Sequence, residues 1–340
     1  MKALAVALAL VLALPLATQA QEERDPAMAS LGPNCKEDYE AYILSPYPRA
    51  FAQSPDKRRC SYRAGGDSRE LVEAAALKSC GPTCSITKRS PDVPADDKLT
   101  PAEMRPAQRD PTSRYRGPKE AVGVVICSPG STPNALPSRN STAAFVRSFN
   151  EAKWDVWRVD RTGPGENTGK GGLEVLNHAI DKLKAAGYQR IVLAGQSVGA
   201  FLSLVLAARR TDIEAAIAMA PAIRGDLSDK KAADLQRVLK EFDSIFSVRK
   251  NEATRIAVAL FSADEFEPSA IQRATILERR ARELGWPILL IDRPDGLVGH
   301  DAGRGVPFAM RHRDCLLRFV ELAKLEGGMH DCNAILRAPR

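Results

Sequence analysis

Residues 190–208 constrain the possible fold of this chain more than any other stretch. A short apolar run rich in β-branched residues, Arg190 to Ala194, predicts a strand buried on both faces of a parallel sheet. Ala200 to Ala208 is rich in Ala and Leu, which predicts a helix packed against that sheet. Gly195, Gln196, Ser197, Val198 and Gly199 lie between them, so we expect Ser197 at a strand-to-helix corner.

Such a corner suits a nucleophilic serine. A sharp turn projects the Ser197 hydroxyl away from the backbone, and Gly195 and Gly199 keep the turn clear of Cβ atoms. A helix that begins beside the serine also directs unpaired backbone N–H groups at an oxyanion formed there. The segment resembles the nucleophile elbow of the α/β-hydrolase family, and the alternative is a structural turn with an incidental serine.

From Lys119 onward the predicted strands and helices alternate. Alternation of this kind predicts a mostly parallel, doubly wound α/β sheet with helices on both faces, and the resemblance makes residues 119–340 an α/β-hydrolase domain. The predicted strands are 121–127, 154–159, 190–194, 213–221, 255–262 and, as the last one, 286–291. The predicted helices are 138–152, 172–186, 200–208, 268–285 and 308–325, with one or two more in the insertion 223–253.

The family resemblance also implies a histidine base for Ser197, in a loop after the last strand. The chain has four histidines, and His300 follows the strand 286–291 in a glycine-rich loop able to bring an imidazole to a strand end. We therefore expect His300 to be the general base. His330, in the tail, remains the alternative, whereas His178 and His312 are assigned to helices.

The acid of the family's triad follows a late strand. Asp264 comes just after the strand 255–262, and it would hold the His300 imidazole in the correct tautomer and stabilise the imidazolium. Glu265 and Glu267 are alternatives in the same acidic turn. The predicted triad is Ser197, His300 and Asp264.

The oxyanion hole is expected to use two backbone N–H groups. The family pattern assigns one to Val198 and the other to the loop 128–133. Pro129 and Pro133 have no N–H, so Ser131 is the best candidate and Thr132 the next. This loop lacks the His-Gly start that is common in the family.

The N-terminus has the pattern of a secretory signal peptide. Lys2 precedes the apolar run Ala3 to Leu16, and small residues lead to Ala20 before the chain becomes polar. The apolar run is short for a membrane span, although an uncleaved anchor is the alternative. We expect cleavage after Ala20, no integral membrane segment in the mature chain, and a secreted or periplasmic protein.

The chain has seven cysteines, and an oxidising compartment would favour disulfides between them. Since seven is odd, at least one is unpaired, and Cys127 is the best candidate because it lies in an apolar strand. Cys315 and Cys332 are expected to pair. The connectivity of the other four stays open; they are Cys35, Cys60, Cys80 and Cys84.

The stretch before the hydrolase domain has a different character. Residues 21–90 are predicted to be a small cysteine-containing module that relies on its disulfides, with a helix over 69–80. Residues 91–118 are rich in proline and charge, which predicts an extended, poorly packed linker.

Charge and motifs limit the partners. The net charge of +7 is scattered, and removal of Lys2 with the signal peptide leaves +6, so we expect no nucleic-acid partner. No metal-ligand set or phosphate loop is apparent, so we expect no metal and no cofactor. The expected substrate is a small-molecule or polymer-borne carboxylic ester; the oligomeric state stays open. The alternative is a non-catalytic binding protein of the cell envelope that retains the fold.

Overall fold

The protein is described here from a computed structural model. The structure describes residues 31–45, 48–64, 68–89, 106–110, 112–130, 142–159, 161, 165–166, 169–222, 232–247 and 254–339. The chain divides into two compact units, Met1–Pro91 and Asp92–Arg340. None of the helices in the described ranges is both long and apolar enough to span a membrane. The predicted signal peptide, residues 1–20, lies outside these ranges.

The N-terminal unit is a three-stranded antiparallel sheet covered by a helix on each face. Phe51, in the central strand, packs on the side of Tyr39 and Tyr42, and its neighbours Ala50 and Ala52 pack on the other side. Disulfides join Cys35 to Cys60 and Cys80 to Cys84, which gives the pairing that the sequence left open. The elements are α1 (Pro33–Leu44), β1 (Arg49–Gln53), β2 (Cys60–Ala64), α2 (Arg69–Cys80) and β3 (Ser85–Arg89), with strand order β2-β1-β3.

The C-terminal unit is built on an eight-stranded sheet that is parallel except at one edge. Its strands are β4 (Ala107–Arg109), β5 (Val124–Ser128), β6 (Asp155–Val159), β7 (Ile191–Gln196), β8 (Ala215–Met219), β9 (Arg255–Leu260), β10 (Pro287–Asp292) and β11 (Gly328–His330). Their order is β11-β10-β9-β8-β7-β5-β6-β4, and only β4 is antiparallel to its neighbour. The predicted doubly wound α/β sheet, an α/β-hydrolase fold, is therefore present.

Helices cover both faces of this sheet. Its central strands β5, β7 and β8 are buried along their whole length, as expected from their continuous apolar runs. The helices are α3 (Val146–Glu151), α4 (Gly169–Ala185), α5 (Val198–Arg209), α6 (Ala232–Ile245), α7 (Ala270–Leu284), α8 (Val306–Glu321) and α9 (Cys332–Arg337), with a short 3-10 helix at Ala302–Arg304. The predicted helix over 138–152 is shorter among the described residues, since α3 begins only at Val146.

Two edges of the sheet differ from the prediction. The strand over 286–291 is not the last one, because β11 follows it and pairs in parallel with β10.

The prediction of a poorly packed linker is also wrong for the described residues 106–110 and 112–118. Ala107 of β4 is fully buried, and the backbone N–H groups of Arg116 and Gly117 each donate to the buried Asp155 carboxylate at 2.8 Å. Residues 91–105 of the predicted linker lie outside the described ranges.

The cysteines of this unit follow the prediction. Cys315 and Cys332 form a disulfide that ties α8 to α9. All seven cysteines lie in described ranges, and Cys127 is the one left unpaired, buried in β5.

Candidate active site

Ser197 occupies a sharp corner between β7 and α5. Its backbone has φ 56° and ψ −123°, a left-handed conformation that costs a residue with a Cβ about 1–3 kcal/mol. Neighbouring backbone atoms leave no room for a side chain at either glycine. A Cβ on Gly199 would lie 1.9 Å from the Ser128 carbonyl oxygen, and one on Gly195 would lie 2.4 Å from the Ala200 nitrogen. Contacts within the corner therefore require Gly195, and the close approach of the end of β5 requires Gly199.

Backbone hydrogen bonds hold this strained corner in place. The Ser197 N–H donates to the Met219 carbonyl at 3.0 Å, and the Ser197 carbonyl accepts from the Ala222 N–H at 3.1 Å. Met219 is the last residue of β8, which neighbours β7 in the sheet, and Ala222 follows three residues later. Val198, the predicted oxyanion donor, is the first residue of α5. The second predicted donor, Ser131, and its alternative Thr132 lie outside the described residues.

The described start of the loop 128–133, residues 128–130, approaches Ser197 closely. A Cβ on Gly130 would lie 3.0 Å from the Ser197 Cβ and 2.5 Å from the Gln196 side-chain oxygen. The Arg161 guanidinium donates to the carbonyl of Pro129 in the same loop. Burial lowers the pKa of Arg161 to about 10, which leaves it charged at neutral pH. This arginine holds the loop against the serine corner.

His300 and Asp264 meet in a buried hydrogen bond. The His300 Nδ1 atom lies 2.9 Å and 3.0 Å from the two Asp264 carboxylate oxygens. The exposed fractions are 8% for His300 and 4% for Asp264, so water has little access to the pair. Asp264 also accepts the backbone N–H groups of Phe266 and Glu267, both at 3.0 Å, which orients its carboxylate.

The other ring nitrogen of His300 is available for chemistry. Its Nε2 atom is buried and has no hydrogen-bond partner among the described residues. The Phe266 ring packs on the imidazole with centroids 4.5 Å apart and limits its rotation. His300 and Ser197 line the same cavity, so the structure brings all three residues of the predicted triad to one place at the carboxyl ends of β7, β9 and β10.

That cavity has a volume of about 200 Å³. Its wall includes apolar side chains and the Cys127 thiol, whose pKa is raised by burial, so the thiol stays neutral and is a poor nucleophile. Two arginines, Arg158 and Arg304, line it as well. The apolar lining consists of Ala143, Phe145, Val146, Ala194 and Phe266.

Comparison with known proteins agrees with this geometry. Residues 120–282 match a family model described as serine aminopeptidase, S33, of the Hydrolase_4 family. The C-terminal unit has an α/β-hydrolase fold, and the match assigns its residues 120–282 to a family of α/β-hydrolases. The match and the fold support hydrolase activity in general.

Several solved structures are similar to the hydrolase domain. They include a putative dienelactone hydrolase from Klebsiella pneumoniae (11% identity, 62% of this chain, 90% of that chain, TM-score 0.43). The Pyrococcus furiosus esterase Pf2001 (15% identity, 59% of this chain, 83% of that chain, TM-score 0.45) is another. Est1E from Butyrivibrio proteoclasticus has 16% identity and a TM-score of 0.42, with 60% of this chain and 92% of that chain covered. No match was found among curated proteins.

The alternatives to the predicted triad residues have other surroundings or partners. Glu265 is exposed, and Glu267 pairs with Arg273 rather than with His300. His330 lies in the edge strand β11, and its Nε2 atom is 2.9 Å from the Glu326 carbonyl oxygen. His312 lies on α8 beside the Cys315–Cys332 disulfide.

Sequence reasoning missed two arginines that lie close to these residues. Arg161 donates to the Pro129 carbonyl in the loop that approaches Ser197, and Arg273 pairs with Glu267, three residues after Asp264. Their positions depend on strand order, so no local pattern identifies them. Within the described ranges, no cluster of three or more His, Cys, Asp or Glu residues could hold a metal ion.

Proposed function

We propose that the protein is an exported serine hydrolase that cleaves a carboxylic ester, with Ser197, His300 and Asp264 as its catalytic triad. The observation that carries this proposal is the buried His300–Asp264 hydrogen bond beside the strained Ser197 corner, with His300 Nε2 left without a partner among the described residues. An imidazole held in this way is poised to accept a proton from a hydroxyl in its cavity.

The reaction would proceed through an acyl-enzyme. Ser197 Oγ attacks the ester carbonyl carbon while His300 Nε2 takes the hydroxyl proton, and Asp264 stabilises the imidazolium. The oxyanion accepts hydrogen bonds from the Val198 N–H and, in our proposal, from the Ser131 N–H. Collapse of the tetrahedral intermediate transfers the His300 proton to the leaving alcohol. Water then attacks the acyl group, again with His300 as base, and restores the serine.

The cavity favours a short acyl group over a long chain. A volume of about 200 Å³ lined largely by apolar side chains accommodates a small acyl moiety, while the alcohol part of the ester can extend outward. The substrate is thus a small ester or an ester carried on a polymer. Peptide and thioester bonds use the same machinery and are the comparison substrates.

Export is part of the proposal. It rests on the signal-peptide pattern of residues 1–20 and on three cysteine pairs, which persist best in an oxidising compartment. Secretion and periplasmic residence both satisfy this condition.

The decisive experiment is labelling of the purified mature protein with a fluorophosphonate probe. We expect Ser197→Ala to abolish labelling and His300→Ala to reduce its rate by about 10²-fold or more, because the serine loses its base. His178→Ala, a change on the helix α4, is the matched control and should label like the wild type. Absence of labelling in correctly folded wild type would instead favour a non-catalytic binding protein with this fold.

Positive labelling leads directly to a substrate test. Short-chain carboxylic esters should be hydrolysed faster than long-chain esters, thioesters or peptides. A preference for peptides would overturn the ester assignment and leave the serine mechanism standing.

A further inference from the structure

A buried ion pair lies directly behind the acid of the site. The Arg273 guanidinium, on α7, donates to the Glu267 carboxylate, and the exposed fractions are 1% for Arg273 and 3% for Glu267. Burial raises the pKa of the Glu267 carboxyl, and the positive charge of Arg273 opposes that rise. The mechanism proposed above uses neither residue.

This pair connects the acid turn to the serine corner through an unbroken series of contacts. The Glu267 N–H donates to Asp264 Oδ1 at 3.0 Å, and Asp264 holds His300. On the other side, Arg273 donates to the Pro221 carbonyl, next to Ala222, whose N–H holds the Ser197 carbonyl at 3.1 Å. One guanidinium therefore spans the segments that carry the two halves of the triad.

Both segments contain strained backbone near the residues to which Arg273 donates hydrogen bonds. Ala220, before Pro221, has φ 46°, and Ala263, before Asp264, has φ 52°. Left-handed φ values in residues with a Cβ persist only where surrounding contacts hold them. Arg273 bonds Pro221, directly after Ala220, and Glu267, four residues after Ala263, so it holds the chain on the C-terminal side of each strained residue.

The pair is poorly explained as a stabilising element. Burying two charges costs about as much free energy as their attraction returns, so apolar residues of similar volume often serve stability equally well. Glu267 Oε1 and Arg273 Nε are also buried without hydrogen-bond partners among the described residues, which adds to the cost. A role in geometry accounts for the pair better than a role in stability.

We propose that Glu267 and Arg273 are positioning residues that tie the Asp264 turn to the Ser197 corner and thereby align the His300–Asp264 hydrogen bond. The consequence for turnover rests on the proposed function, whereas the consequence for the alignment does not. The pair touches no substrate, so its loss should reduce kcat and leave KM nearly unchanged.

The first test replaces the whole pair. Glu267→Leu/Arg273→Met removes both charges and should keep Tm close to that of the wild type, because no unpaired charge is left buried. We expect kcat to fall about tenfold or more, with KM changed by less than about threefold. The matched control is Arg190→Met/Glu214→Leu, which removes an ion pair of 2.7 Å at the amino ends of β7 and β8, opposite the site. The control should retain wild-type kcat.

A second variant keeps the test valid if the first does not fold. Arg273→Lys keeps the positive charge, but a single ammonium group cannot donate in the same fork to both Glu267 and Pro221. It should also lower kcat, by about three- to tenfold. Wild-type kcat in either folded variant would overturn the proposal.

A spectroscopic readout makes the test independent of turnover. The His300 Nδ1–H proton in the hydrogen bond to Asp264 is expected to give a far-downfield NMR resonance, assigned by its loss in Asp264→Asn. The resonance should broaden or move upfield in both variants of the pair and remain unchanged in the control. An unchanged resonance in the variants would overturn the inference even with an active enzyme. If the resonance changes in the variants but the wild type has no hydrolytic activity, only the proposed function is contradicted.

Discussion

Gly199 shows how one residue decides whether the serine corner can form. Its missing Cβ leaves room for the Ser128 carbonyl oxygen, which would otherwise lie 1.9 Å away. Ser128 lies at the end of β5, distant in the chain, but Gly199 belongs to the motif around Ser197, so the sequence marks it. Gly130 is equally constrained by Gln196 and Ser197, and no local pattern marks it.

The choice of acid illustrates the same limit at Asp264. Sequence position alone left Glu265 and Glu267 as alternatives. In the structure Asp264 faces His300, Glu265 is exposed and Glu267 is committed to Arg273. Three carboxylates within four residues thus have three different surroundings, which only the path of the turn decides.

Replacement of the acid tests this assignment. Asp264→Asn keeps the shape of the side chain but favours the wrong tautomer of His300, so we expect kcat to fall about 10³- to 10⁴-fold in ester hydrolysis. Glu265→Gln is the control and should change kcat by less than about twofold because the side chain is exposed. Equal losses in the two variants would contradict the assignment of Asp264 as the acid.

At the scale of elements, long periodic segments were predictable and short edge strands were not. The strands β5 to β10 are five or six residues long and mostly apolar, and α4, α5, α7 and α8 have helical patterns of 12 residues or more. The edge strands β4 and β11 each have three residues, too few to display a period of two. They form because a neighbouring strand offers unpaired backbone groups.

Helix α8 contains a half-buried titratable group, His312, that should make stability depend on pH. Burial, with a smaller effect of Arg311, lowers the pKa of His312 from 6.5 to about 4. The ring packs on Phe308 with centroids 4.9 Å apart. Above pH 6.5 the imidazole is neutral in both the folded and the unfolded chain, so its contribution to stability is complete there.

Acidification should therefore weaken the fold through His312. As pH falls from 6.5 towards 4, the unfolded chain gains a proton that the folded chain does not, so the free energy of unfolding decreases. We expect about 1–2 kcal/mol from this group, with allowance for solvent that reaches the ring. Chemical denaturation at pH 7 and pH 4.5 measures it.

The matched variants for this measurement are His312→Gln and His178→Gln. The first should flatten the loss of stability between pH 7 and pH 4.5, and the second should leave it as in the wild type. An undiminished pH dependence in His312→Gln would show that other groups cause the loss.

For the whole molecule, the boundary of the hydrolase domain depends on contacts rather than composition. The proline-rich stretch before Lys119 has the composition of a linker, yet its last part packs into the C-terminal unit. Asp155 is fully buried, and its carboxylate accepts hydrogen bonds from the Arg116 and Gly117 backbone and from the Tyr188 hydroxyl. Asn150 also bonds the backbone of Arg114.

Two truncations test this boundary. A chain that begins at Lys119 loses β4 and two of the hydrogen bonds to Asp155, and we expect its free energy of unfolding to be lower by about 3–5 kcal/mol or more. A chain that begins at Pro106 retains these contacts and serves as the control. Urea denaturation followed by circular dichroism compares the two. Equal stability of the two chains would mean that residues 106–118 add nothing to the fold.

The sequence by itself determined the α/β class, the serine corner and the three residues predicted to form the triad. Each of these depends on local patterns or on chain order, which a sequence contains directly. Tertiary structure alone decided the edge strands, the domain boundary, the pairing of the early cysteines and the contacts of Arg161 and Arg273. Those features depend on which segments become neighbours when the sheet assembles, and burial then gives polar side chains partners that lie far away in the chain.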